Sequence, residues 1–138
     1  MDNSSAITDT ALDAEYTPEH ITTLGHNDIF VFGSNLAGYH AGGAAREAFN
    51  RFGAVWEQGE GLQGNSYAIP TMQGGTETIK PYVDTFIEFA RSNPSLTFYV
   101  TKIGCGIAGF DVKDIAPLFR EAWSVPNIRL PKEFEAYQ

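Results

Sequence analysis

The sequence predicts an α/β domain with a mainly parallel or mixed central sheet. Three observations carry that expectation. Short apolar runs rich in β-branched and aromatic residues alternate with stretches whose apolar residues recur every three or four positions. Two glycine-rich turns, residues 33–43 and 104–110, each follow an apolar run and precede a helix-like stretch. The chain has 138 residues, which suits one domain around one core.

The elements follow in order. Residues 1–20 are polar and acidic and are expected to form a mobile leader, because they bury too little to offset ordering entropy. A single domain is expected over residues 21–138. Ile29, Phe30, Val31 and Phe32 read as a buried strand ending at Gly33. Residues 43–52 read as a helix on the spacing of Ala44, Ala45, Ala48, Phe49 and Phe52, with Gly53 as its C-terminal cap. Residues 66–69 read as a strand stopped by Pro70. Gly74 and Gly75 mark a turn. Ile79, Val83, Phe86, Ile87 and Ala90 then form one apolar face of a helix over residues 77–92. Residues 96–103 read as a strand. Residues 114–123 read as a helix with Asp114 as N-cap and Pro117 in its first turn, where a proline loses no hydrogen bond. Residues 128–130 form a last short strand before Pro131.

Composition narrows the function. The net charge of −8 is concentrated at one end. Residues 1–28 hold six acids and no Lys or Arg, which leaves eleven acids against nine bases in the remainder. No basic cluster offers the counterion exchange that nucleic-acid backbone binding needs, so no direct contact of that kind is expected. No apolar run approaches the roughly 20 residues that span a bilayer, so no membrane partner is expected. The N-terminus lacks the basic and apolar segments of a signal peptide, and a lone Cys105 suits a reducing compartment; a cytoplasmic location is expected. The three histidines and Cys105 show no ligand spacing, so neither a metal nor a resident cofactor is expected.

The two turns point to a ligand class. Glycine lets a ligand approach the main chain, and a turn that opens a helix presents unpaired N–H groups at the positive end of the helix dipole. That is the physics of a phosphate site. Gly104-Cys105-Gly106-Ile107-Ala108-Gly109 matches the spacing of a dinucleotide fingerprint. No acid ends the following strand to hold a ribose hydroxyl, so the dinucleotide-fold reading is set aside and the phosphate nest is kept. No Gly-Lys-Ser/Thr follows either turn, which excludes a P-loop. In a parallel sheet such turns meet at one crevice outside the carboxyl ends of the strands if their strands are neighbours.

Phe30-Val31-Phe32-Gly33-Ser34-Asn35, then His40-Ala41-Gly42-Gly43-Ala44-Ala45, then Ile103-Gly104-Cys105-Gly106-Ile107-Ala108-Gly109-Phe110 follow one another in an order that resembles the macro domain family. The resemblance covers residues 27–131. It implies a three-layer α/β/α macro-like fold that binds ADP-ribose, free or attached to a macromolecule, and several branches of that family hydrolyse ADP-ribose linkages. By position it implies that Ser34 and Asn35 border the ligand, with Asn35 facing the distal ribose. Gly42, Gly43 and Ala44 would approach the diphosphate. Gly104, Cys105, Gly106, Ile107, Ala108 and Gly109 would form the second phosphate loop, and Phe110 would flank a ribose or the adenine.

The departures matter as much. One branch carries a carboxylate just after the first loop, where this chain has Ala45. Another uses a lysine after the middle strand and an aspartate just after the second turn, where this chain has Ile69-Pro70-Thr71-Met72 and Ala108. Asp28 is the candidate for the aspartate that reads adenine in the family.

The candidate catalytic groups are therefore Asn35, His40 and Asp111. His40 is a candidate general base or a loop histidine that only hydrogen-bonds. Asp111 is a candidate catalytic acid or a helix cap. Cys105 is either a thiol with a lowered pKa or a small buried side chain. Lys80 and Lys102 could give charge to phosphate. Gln58, Glu60, Gln63 and Asn65 form a polar run that either borders the site or is a plain surface loop. The expected function is binding of ADP-ribose or a related NAD-derived nucleotide, with hydrolysis of an ADP-ribosyl linkage left open. The alternatives are non-catalytic sequestering or sensing of a nucleotide signal, and a protein-interaction module whose turns are only structural.

Overall fold

The computed structural model describes residues 15–138. Most of the expected acidic leader lies outside the described residues. The protein is mixed α/β, with a five-stranded sheet in the order β2-β3-β1-β4-β5. The strands are β1 (Asp28–Ser34), β2 (Gly61–Gln63), β3 (Ser66–Pro70), β4 (Thr97–Val100) and β5 (Ile128–Arg129). β1 lies at the centre and pairs in parallel with β3 and β4, and β4 pairs in parallel with β5. β2 joins antiparallel at the edge of β3. The order makes β1 a switch point: the chain leaves it toward β3 and later returns on its other side as β4.

The alternation of side chains along the strands builds two cores. Ile29 and Val31 point with Tyr67, Ile69, Phe98 and Val100 into one cluster. The apolar face predicted for α2 (Thr76–Arg91) fills it: Ile79, Val83, Phe86, Ile87 and Ala90 are all buried there. Phe30 and Phe32 point into a second cluster with Ala68, Tyr99 and the buried residues Ala45, Ala48 and Phe52. Ala45 and Ala48 lie on α1 (Gly43–Arg51), and Phe52 caps its C-terminus with Gly53 beyond it. Full burial of one such phenylalanine is worth about 1.5–3 kcal/mol, so the pattern of β1 alone fixes which face each helix covers.

The last predicted helix differs. Its N-cap is Asp111, not Asp114: the Asp111 side chain accepts from the Asp114 amide while the Asp114 carboxylate accepts from the Asp111 amide. This reciprocal capping box has an acid at both ends, so either one matches the signature. The helix it opens, α3 (Val112–Ile115), lasts one turn. Pro117 has no N–H to continue the ladder, and the chain proceeds as a 3-10 helix over Ala116–Ser124. Sequence reading also missed β2, whose three residues begin with glycine and are too short for a periodic signal.

Residues 16–19 dock on the C-terminal part of the chain. The Thr17 amide donates to the Leu130 carbonyl at 3.0 Å, its hydroxyl to the Arg129 carbonyl at 3.0 Å, and the Tyr16 hydroxyl to Glu135 at 2.8 Å. That carboxylate raises the Tyr16 pKa, chiefly through the hydrogen bond. No helix among the described residues is long and apolar enough to cross a membrane.

Candidate functional site

The parallel strands all end on one side, and a cavity of about 530 Å³ opens there. Its volume falls in the range of small-ligand pockets, about 300–1,000 Å³. Gly33, Ser34 and Asn35 reach it from the end of β1, Thr71 and Met72 from beyond β3, and Thr101 to Ala108 from beyond β4. The first turn and the start of α1 form the facing wall, from Ala41 to Ala45. The two glycine turns therefore meet. A β-carbon placed on Gly42 would lie 2.9 Å from Cδ1 of Ile107, and one on Gly33 would lie 3.2 Å from the Gly104 nitrogen.

The unclaimed donors at the two glycine turns are main-chain groups. The first-turn amides of α1 have no intrahelical acceptor, and no side chain caps them at Gly42. Gly43 takes φ +58°, which a side chain would strain. In the second turn the amides of Cys105, Gly109 and Phe110 bond to Lys102, Gly106 and Gly104 carbonyls. Those of Gly106, Ile107 and Ala108 donate to no acceptor among the described residues. Residues with unclaimed amides from both turns thus line one crevice, an arrangement whose chemistry suits an anion.

The charged side chains of the cavity are already engaged. Lys102 bridges Glu133 at 2.9 Å and Glu19 at 3.3 Å, and all three line the wall. The Glu133 hydrogen bond is the main cause of the raised Lys102 pKa, with burial opposing it, and the same bond lowers Glu133. Burial pushes the Cys105 thiol up, with Lys102 opposing and Asp111 and Asp114 adding to the rise. This is the opposite of the lowering expected for an activated thiol: Cys105 precedes α3 by several residues and packs against the apolar core. Lys80 pairs with Asp84 on the exposed side of α2 and does not line the cavity.

The proposed catalytic groups sit elsewhere or are tied down. The Asn35 side chain lines the cavity but holds the main chain of Tyr39 at both its polar ends. His40 is buried, absent from the cavity wall, and edge-on to Phe32 at 5.3 Å. Its Nε2 donates to the Val55 carbonyl at 2.8 Å, and Nδ1 has no partner among the described residues. A general base must reach a reacting group or its water, so this placement does not fit that role. Asp111 is held in the capping box as the cap of α3 and lies outside the cavity wall. Gly109 and Phe110 are also absent from the wall; Phe110 packs against the core behind Gly104. Asp28 lies at the opposite end of β1, accepting from the Gly25 amide at 2.7 Å, which does not fit an adenine reader in this cavity. Ser34 lines the cavity, but its hydroxyl donates to the Gly59 carbonyl.

The polar run 58–65 is a brace. Gln63 is buried, accepts from the Val55 amide at 2.8 Å, and donates to the Gln58 and Gly61 carbonyls. Asn65 donates to the Asp28 carbonyl at 3.3 Å. None of the run lines the cavity. Sequence reasoning missed Tyr39, Thr71, Met72, Glu19 and Glu133, which do line it. The position of Thr71 and Met72 just after a parallel strand was the available signal. Glu19 and Glu133 come from the two ends of the described chain and had none.

Among the described residues no group of three His, Cys, Asp or Glu side chains is placed to hold a metal. No protein-family model, curated protein or solved structure matches the chain.

Proposed function

We propose that the protein binds ADP-ribose or a related NAD-derived nucleotide, with the diphosphate held between the two glycine turns of a three-layer, macro-like fold. One observation carries the reading: unclaimed amides of the α1 N-terminus and of Gly106, Ile107 and Ala108 line the same cavity. A diphosphate has acceptors enough to engage both sets, and backbone donors suit it without a cationic side chain.

Recognition is favoured over hydrolysis. His40 is buried, Asp111 caps α3, and the Asn35 amide is occupied. The reading therefore includes sequestering or sensing of a nucleotide signal, or of an ADP-ribosylated macromolecule, in the cytoplasm. Calorimetric titration with ADP-ribose, with AMP and NAD as comparators, tests it. The expected result is low-micromolar or tighter binding of ADP-ribose and much weaker binding of AMP. Equal or absent binding of the three overturns the diphosphate clamp.

A further inference from the structure

Two loops interlock beside the cavity. The Glu57 amide donates to the Gly38 carbonyl at 2.8 Å, and Gly38, at φ +75°, packs directly on the Glu57–Gln58 main chain. Glu57 is the one non-glycine residue among those described with a positive φ, at 75°. Such a conformation is uncommon and costs energy, and it persists where surrounding structure imposes it. What these loops carry is a pair of aromatic rings. Tyr39 and Trp56 stack with centroids 5.7 Å apart and planes 18° apart. Phe49 braces Trp56 edge-on at 5.5 Å. Tyr39 is 54% exposed and Trp56 43%, so the pair is held in place without being buried.

Tyr39 is also the only aromatic side chain lining the cavity among the described residues. Phe110, the aromatic residue expected to flank the ligand, lies behind the second turn. We infer that the Tyr39–Trp56 pair is a stacking platform for a nucleobase of the phosphate-bearing ligand. This inference rests on the reading of the glycine turns as a phosphate site. Tyrosine offers a wide aromatic face at little cost in rotamer freedom, and a second ring behind it fixes its tilt. Stacking is tolerant of base identity, so the platform selects for the presence of a base rather than for one base.

The test compares ligands with and without a base on intact protein. ADP-ribose, ADP and inorganic pyrophosphate are titrated into wild type, Tyr39→Ala, Tyr39→Phe and Trp56→Ala, with thermal melts to verify folding. Tyr39→Ala is expected to weaken ADP-ribose and ADP by about 10-fold or more, within the range of a lost base stack. Pyrophosphate affinity is expected to stay within about twofold, and Tyr39→Phe to restore the base-bearing ligands, because it keeps the aromatic face. Trp56→Ala is expected to fall between. Unchanged ADP-ribose binding in Tyr39→Ala overturns the platform alone. So does an equal loss for pyrophosphate, since Tyr39 would then only shape the loop. Failure of wild type to bind ADP-ribose, ADP or pyrophosphate overturns the phosphate site and the platform with it.

Discussion

The Asn35 side chain grips the main chain of Tyr39 on both sides: its Oδ1 accepts from the Tyr39 amide at 3.0 Å and its Nδ2 donates to the Tyr39 carbonyl at 3.2 Å. The residue that resemblance assigns to a ribose is here a clamp on its own loop. Asn35→Ala is expected to destabilise the protein by about 1–2 kcal/mol, two hydrogen bonds at their usual net worth, with the lower figure favoured by their exposure. Asn35→Asp keeps the acceptor and loses the donor, so it should fall between. Urea denaturation measures both; a wild-type midpoint for Asn35→Ala would remove the clamp.

Gly106 is a clean probe of the proposed phosphate site. A β-carbon there would meet nothing within 4 Å. Gly106→Val should leave stability within about 0.5 kcal/mol, as for a neutral surface change, and lower ADP-ribose affinity at least tenfold by crowding the amides. Retained affinity with a wild-type melt would move the anion away from the second turn. Gly43→Val is a poorer probe, because φ +58° strains any side chain.

His40 should behave as a core residue. His40→Ala removes a buried ring and one of the two donors to the Val55 carbonyl, the Gln58 amide remaining, for a loss of about 2–4 kcal/mol in chemical denaturation. Nucleotide affinity in the folded fraction should stay within a few-fold of wild type. If a hydrolytic activity is found and His40→Gln removes its alkaline or acidic limb with stability intact, the packing role is wrong.

Tyr67 gives a pH dependence. Burial, with a smaller effect of Glu60, pushes its phenol up from 10.0 to about 12. The folded state therefore holds this proton longer than the unfolded chain does. Its contribution is complete below pH 10 and is lost as pH rises toward 12, about 2–3 kcal/mol in all. Tyr67→Phe should show a shallower fall in urea stability over that window. Parallel curves for the two proteins would contradict the assignment.

Lys102 should hold the N-terminal wall of the cavity. Lys102→Met removes its pairs with Glu19 and Glu133. Both pairs are exposed, so global stability should change by less than about 1 kcal/mol. Hydrogen exchange at the Thr17 amide should nonetheless quicken. Unchanged exchange there would mean that the bond to Leu130 holds the segment unaided.

Local pattern revealed what local physics determines. The faces of β1 and α2 were legible because Ile29, Val31, Ile79, Val83 and Phe86 repeat at the periods of a strand and a helix. The meeting of the two turns was legible only conditionally, since it required β1 and β4 to be neighbours, as they are. The fates of Asn35, His40 and Gln63 were not legible. Each is decided by a hydrogen-bond partner on a loop of no regular period, and the same side chains facing the cavity would give an identical sequence. Asp111 and Asp114 were ambiguous because a capping box accepts an acid at both positions.

The unclaimed donors at the glycine turns belong to the peptide backbone, and that has an evolutionary consequence. Every residue but proline supplies the same N–H, so inheritance of the site requires inheritance of the chain's path and not of its letters. Selection on ligand binding would act hard on the few positions that set the path, such as Gly38 and Gly43, and lightly on their neighbours. Lineages that held a ligand in this way could then drift far apart in sequence while the cradle itself stayed the same.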